Sequence, residues 1–148
     1  MYSKLGRIDS ALQMEKDVYS GRLRLNAEQR ETLLAANNYA LSLFSAERSE
    51  EAKSVLRKMM PVARRTLGES DQLALSMRWC YAGALYGDPG ATLAELREAV
   101  ETLESVAPLW RRVFGDSHPE TPRIHDALAN ARERFARAAA ASESESPP

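Results

Sequence analysis

Phe114-Gly-Asp-Ser-His-Pro-Glu-Thr121 closes one amphipathic stretch and opens the next, and a relative of this junction lies upstream. Ala107-Pro-Leu-Trp-Arg-Arg-Val-Phe-Gly-Asp-Ser117 and Met60-Pro-Val-Ala-Arg-Arg-Thr-Leu-Gly-Glu-Ser70 agree at the Pro, both Arg, the Gly and the Ser, with an offset of 47. Trp79-Cys-Tyr-Ala82 and Asn37-Asn-Tyr-Ala40 agree at Tyr-Ala with an offset of 42. Echoes at such periods mark stacked repeats, units that cannot bury their apolar faces alone. The insertion that stretches 42 to 47 falls around Asp88-Pro-Gly90, a turn where added length costs little.

Working outward, apolar residues recur at three and four, with no strand-like run in the first 140 residues. The pattern predicts six helices. The first covers about 3–25, with Leu5, Ile8, Leu12, Tyr19 and Leu23 as its stripe. The second covers about 28–45, opened by Asn26 with Gln29 three residues on. Ser49 caps a third helix that stops at Gly68, and Ser70 or Asp71 caps a fourth that continues to Tyr86. Thr92-Leu-Ala-Glu95 is a capping box for a fifth helix ending at Gly115, and Ser117-His-Pro-Glu120 another for a sixth reaching about 141. The acidic, apolar-free tail, 142–148, is expected to be disordered, leaving 1–141 as one helical repeat domain.

In register, Ala40, Ala82 and Ala129 are small residues that would let paired helices approach closely, with Tyr39, Tyr81 and Leu128 filling the space between pairs. Pro61 and Pro108 also share a register, seven residues before the closing Gly. A mid-helix proline removes a backbone hydrogen bond and clashes with the preceding turn, costing about 3 kcal/mol in a straight helix. The pattern favours two kinked helices over two broken ones.

Composition narrows the function classes. Hydrophobic residues make up 44% and charged residues 28%, the balance of a globular domain, and the net charge is −1. A near-neutral chain lacks the basic excess that phosphate backbones demand, so nucleic acid is not an expected partner. Cys80 is the single cysteine; with His118 and His125 it cannot assemble a Cys-rich zinc site, and no metal or other cofactor is expected. The segment after Met1 has no apolar core of a secretory signal, and no run approaches the roughly 20 residues that span a bilayer. A cytoplasmic protein without a membrane association is the expectation.

These residues resemble a known family. Arg111-Arg-Val-Phe-Gly-Asp-Ser-His-Pro-Glu-Thr121, Asn37-Asn-Tyr-Ala40 and Ser49-Glu-Glu-Ala52 look like the 42-residue tetratricopeptide repeats of the kinesin light chain family, over roughly residues 10 to 136. The resemblance implies an all-α superhelix of about six antiparallel helices, roughly two and a half repeats. The first helix of each pair would line a concave groove for a peptide or partner protein. It is a likeness to the repeat, and kinesin association is not implied. Groove positions carried over by register are Leu34, Asn37, Asn38, Leu41 and Phe44, then Ser76, Trp79, Cys80, Gly83 and Tyr86, then Arg123, Asp126, Asn130 and Arg134. Asn38 is the leading backbone clamp, since an amide both donates and accepts. Trp79 is either an interface anchor or an inter-repeat packing residue.

Other polar features read structurally. Arg64-Arg65 and Arg111-Arg112 sit in last helical turns, where cations offset the helix dipole. His118 belongs to a turn and caps. Cys80 has no His-Asp partner set, and no catalytic residues are expected. Two readings follow: a non-enzymatic interaction scaffold, or a structural subunit that stacks through its terminal helices into a homo-oligomer.

Overall fold

A computed structural model describes residues 4–145, and six helices account for nearly all of them. They are α1 (Lys4–Leu25), α2 (Arg30–Ser45), α3 (Ser49–Leu67), α4 (Gln72–Tyr86), α5 (Leu93–Phe114) and α6 (Thr121–Ser144). There is no strand among the described residues. Each helix packs on the next in the chain; α2 also touches α4, and α4 touches α6. No such backbone approach links α1 to α3 or α3 to α5. One layer of the stack is therefore tighter than the other, and the array curves toward α2, α4 and α6. The molecule is an all-α helical repeat solenoid.

The helix ends show which caps the folded chain uses. Asp71 caps α4, its carboxylate accepting from the Leu73 and Ala74 amides, and Thr92 with Glu95 forms the full capping box of α5. Three expected caps are not used. Asn26 spends its side chain on a local turn, accepting from the Glu28 amide at 2.9 Å, so α2 begins only at Arg30. Ser49 is already helical, preceded by Arg48 without a side-chain cap. Ser117 does not cap α6; His118 Nδ1 accepts from the Glu120 amide at 3.1 Å, and α6 starts at Thr121 with Pro122 in its first turn.

In place of those caps, buried threonines tie the junctions. Thr32 Oγ1 donates to the Asn26 carbonyl at 2.6 Å, and Thr121 Oγ1 to the Gly115 carbonyl at 2.7 Å. The two pairs occupy the same repeat register, with Ala74 and Gly68 between them in sequence. Gly68 and Gly115 sit at φ 88°, ψ 164° and φ 83°, ψ 168°. That is a region essentially reserved for glycine, not the left-handed helical cap anticipated for a helix end.

The core runs through every layer interface. α4, sandwiched between neighbours, buries residues nearly all round, from Leu73 to Leu85. α3 and α5 are single helices through Pro61 and Pro108, so neither breaks at its proline. The expected close-approach alanines hold at Ala40 and Ala82, both fully buried, but Ala129 is exposed. Its register would face a following helix, and none packs there among the described residues. Leu34, expected in the groove, is 48% exposed, and Val113 of α5 is 43% exposed. α6 continues to Ser144, three residues past the expected end, and 146–148 lie outside the described residues.

Lys53 escaped the apolar pattern altogether. Its side chain is fully buried, with Nζ 2.5 Å from both Glu50 and Glu95 and 3.8 Å from Asp88. Burial opposes the charged form, but the hydrogen bonds that Nζ donates to both glutamates outweigh it and hold the ammonium above its ordinary pKa. The site joins α3 to the start of α5 across the 87–90 turn. Val100 holds the corresponding register in α5, so the ion cluster is specific to one repeat.

Candidate functional site

On the concave side, α2, α4 and the start of α6 enclose a cleft of about 610 Å³. Asn37, Leu41 and Phe44 line it from α2, one helical turn apart. From α4 come Gln72, Ser76, Trp79, Cys80, Gly83 and Tyr86, the same face of the middle helix. Trp110 contributes from α5, and Glu120 and Arg123 close the far rim. The face-selecting reason is simple: residues three and four apart share a helix side, and in α4 that side carries Trp79, Gly83 and Tyr86.

Nine of the fourteen residues expected to form the groove line this cleft: Asn37, Leu41, Phe44, Ser76, Trp79, Cys80, Gly83, Tyr86 and Arg123. Leu34, Asn38, Asp126, Asn130 and Arg134 do not. Leu34 and Asn38 are exposed outside the lining, because one residue step turns a helix by about 100° and carries Asn38 away from Asn37. Asn130 lines a separate depression with Pro89 and Arg134. Arg134 donates to the Tyr86 carbonyl, pinning α6 against the C-terminal end of α4. Asp126 is exposed and off the cleft.

Trp110 was legible only as a core residue. It is 1% exposed, yet it forms the floor of the cleft, edge-to-face with Trp79 at 6.1 Å. Phe114 and His118 continue the row at 4.6 Å and 5.3 Å from its ring. The signal was present in the spacing: 110, 114 and 118 form a row of steps of four. Trp79 packs against Trp110 of the neighbouring helix and also lines the cleft. Gln72 and Glu120, at helix starts, carried no periodic signal.

Two polar atoms in this lining lack a hydrogen-bond partner among the described residues: Asn37 Oδ1 and Trp110 Nε1–H. An acceptor and a donor, both buried and each on a side chain over nine-tenths buried, belong to two residues that line one mostly apolar cleft. Leaving a buried polar group unsatisfied costs about 1–3 kcal/mol. The arrangement suits a guest that carries both a donor and an acceptor, as a peptide unit does. Burial pushes the Cys80 thiol up to about 12 and raises the Tyr86 hydroxyl. Neither is poised to react near neutral pH.

No helix among the described residues is long and apolar enough to cross a membrane. No curated protein and no solved structure matches the chain. The tetratricopeptide repeat family matches residues 32–72, the span from the first turn of α2 through α3 to the start of α4. Residues 32–72 are thus similar to one tetratricopeptide repeat, and the helices on either side continue the same stack.

Proposed function

We propose that this chain is a non-enzymatic interaction scaffold that holds a peptide or partner-protein segment in the cleft between α2, α4 and α6. The observation that carries the reading is the pairing of an aromatic, largely apolar lining with the partnerless Asn37 Oδ1 and Trp110 Nε1–H. Aromatic anchors supply contact area, and the two polar atoms supply orientation. The junction Gly115…His118-Pro119…Thr121 adds support for a repeat of the kinesin light chain type, whose groove takes peptides.

The test is a displayed peptide library screened against the wild type, Leu41→Glu and Asn38→Ala, all confirmed helical by circular dichroism. Leu41 is 45% exposed within the cleft, so a charge there should abolish capture without unfolding the protein. Asn38 lies outside the lining and its variant should bind as the wild type does. Peptides captured equally by Leu41→Glu would sink the groove assignment.

A second reading, self-assembly through the terminal helix, has one observation in its favour. Met14, Val18 and Leu25 are 69%, 49% and 79% exposed and share one side of α1. Light scattering across a range of concentrations decides it: growth that Met14→Lys/Val18→Lys abolishes would establish assembly, and a concentration-independent monomer would dismiss it.

A further inference from the structure

The other side of α4 faces a second cleft, of about 560 Å³, between α3, α4 and α5. Its lining is rich in guanidinium groups: Arg57, Arg64 and Arg65 from α3 and Arg78 from α4, with Glu98 of α5 as the one carboxylate; of these, Arg65 is already paired with Glu28 at 3.0 Å. Tyr81 organises the floor. Its hydroxyl accepts from Arg57 Nε at 2.9 Å and donates to Glu98 at 2.6 Å, so the acid is engaged by a neutral group.

The other three arginines are poorly neutralised. Neither Arg57 nor Arg78 forms an ion pair among the described residues, and Arg64 reaches Glu69 only at 3.8 Å. Arg78 donates to the Ser105 hydroxyl at 2.8 Å, a neutral acceptor. Burial first, and then the like charge of Arg64, push the Arg78 guanidinium below its ordinary pKa. A partly desolvated cation thus sits beside another cation with an open cavity between helices in front of both.

We propose that this cleft binds a phosphate group through Arg57, Arg64 and Arg78. A phosphate monoester carries about −1.5 to −2 charge and three strong acceptor oxygens. Guanidinium forks from two helices, converging on one cavity, match that charge and shape. A single carboxylate would neutralise only one of the three. The proposal does not depend on the concave groove, which uses the opposite side of α4.

The test uses the full chain at constant ionic strength, with inorganic pyrophosphate and the blocked tripeptide Gly-phosphoserine-Gly as probes. Two-dimensional NMR follows the arginine Nε–Hε signals and the Ser105 amide during titration. Saturable shifts are expected at Arg78. The Arg78→Gln variant should weaken binding by about tenfold, the value of one charge-assisted hydrogen bond. Arg64→Gln removes a largely exposed side chain, cannot disturb the core, and should weaken binding as well. Glu98→Gln keeps the acceptor for Tyr81, removes the repelling charge, and should tighten it. Stronger binding of the phosphotripeptide than of pyrophosphate would identify a phosphorylated side chain as the source, and the reverse order a free phosphate compound. Absence of saturable shifts with either probe, or wild-type affinity in both arginine variants, would overturn the proposal.

Discussion

Gly115 holds backbone angles that a residue with a Cβ rarely adopts, and its carbonyl is the acceptor for the buried Thr121 hydroxyl. Gly115→Ala should therefore cost about 1–3 kcal/mol in urea denaturation, although nothing crowds the added methyl. Gly83 lies within a helix, also with free space, so Gly83→Ala should raise stability by about 1 kcal/mol or less. Equal effects at the two glycines would show that backbone geometry is not the cause. Lys53 gives a pH signature. Glu95 is held below its ordinary pKa, first by the hydrogen bond from Lys53, so its contribution is present above the unfolded carboxylate value and lost as pH falls through the depressed native one. Lys53 is raised, so its contribution is present below the unfolded lysine value and lost only as pH rises through the raised native one. Lys53→Met should lower stability near neutral pH by roughly 1–3 kcal/mol, because the partly buried Glu95 and Asp88 carboxylates lose their partner. It should also flatten the acid limb of the stability profile. An unchanged acid limb in the variant would refute the assignment.

At the scale of the element, the repeated prolines are instructive. Pro61 and Pro108 stand inside continuous helices and are both exposed, so each costs a backbone hydrogen bond without contributing core area. Pro108→Ala should raise stability by about 1–3 kcal/mol, measured by thermal or urea unfolding. A loss on replacement would mean that a proline at this position is needed for α5 to follow the stack. The helix spans and the Asp71 and Thr92 caps were readable from periodicity and short-range hydrogen-bonding chemistry. The starts of α2 and α6 were not. There, buried Thr32 and Thr121 tie the chain to carbonyls six residues back, a contact that exists only once the turn has folded.

For the whole molecule, layer position sets local stability. α4 packs against α2, α3, α5 and α6, whereas α1 packs on α2 alone. Among the described side chains of α1 only Leu12 and Tyr19 are buried apolar groups, with Tyr19 stacked obliquely on Tyr39 at 5.9 Å. Amide hydrogen exchange should accordingly be slowest in α4 and fastest in α1 and the distal half of α6, with a gradient rather than a step. Uniform protection across the six helices would contradict this nearest-neighbour picture.

The repeat period, the apolar spacing and the paired junctions determined the helical stack from sequence alone, because those signals are local and recur at a fixed register. Asn37, Leu41, Phe44, Trp79, Tyr86 and Arg123 could be drawn to one surface by register alone. Tertiary structure decided the remainder. Whether Asn37 or Asn38 entered the cleft turned on a single helical step, and Trp110 joined its floor only through its packing on Trp79. Lys53 became a buried ion cluster, and Arg57, Arg64 and Arg78 came to share a cavity, through contacts between helices far apart in the chain. Periodicity reports which side of a helix is apolar; only packing decides what stands opposite it.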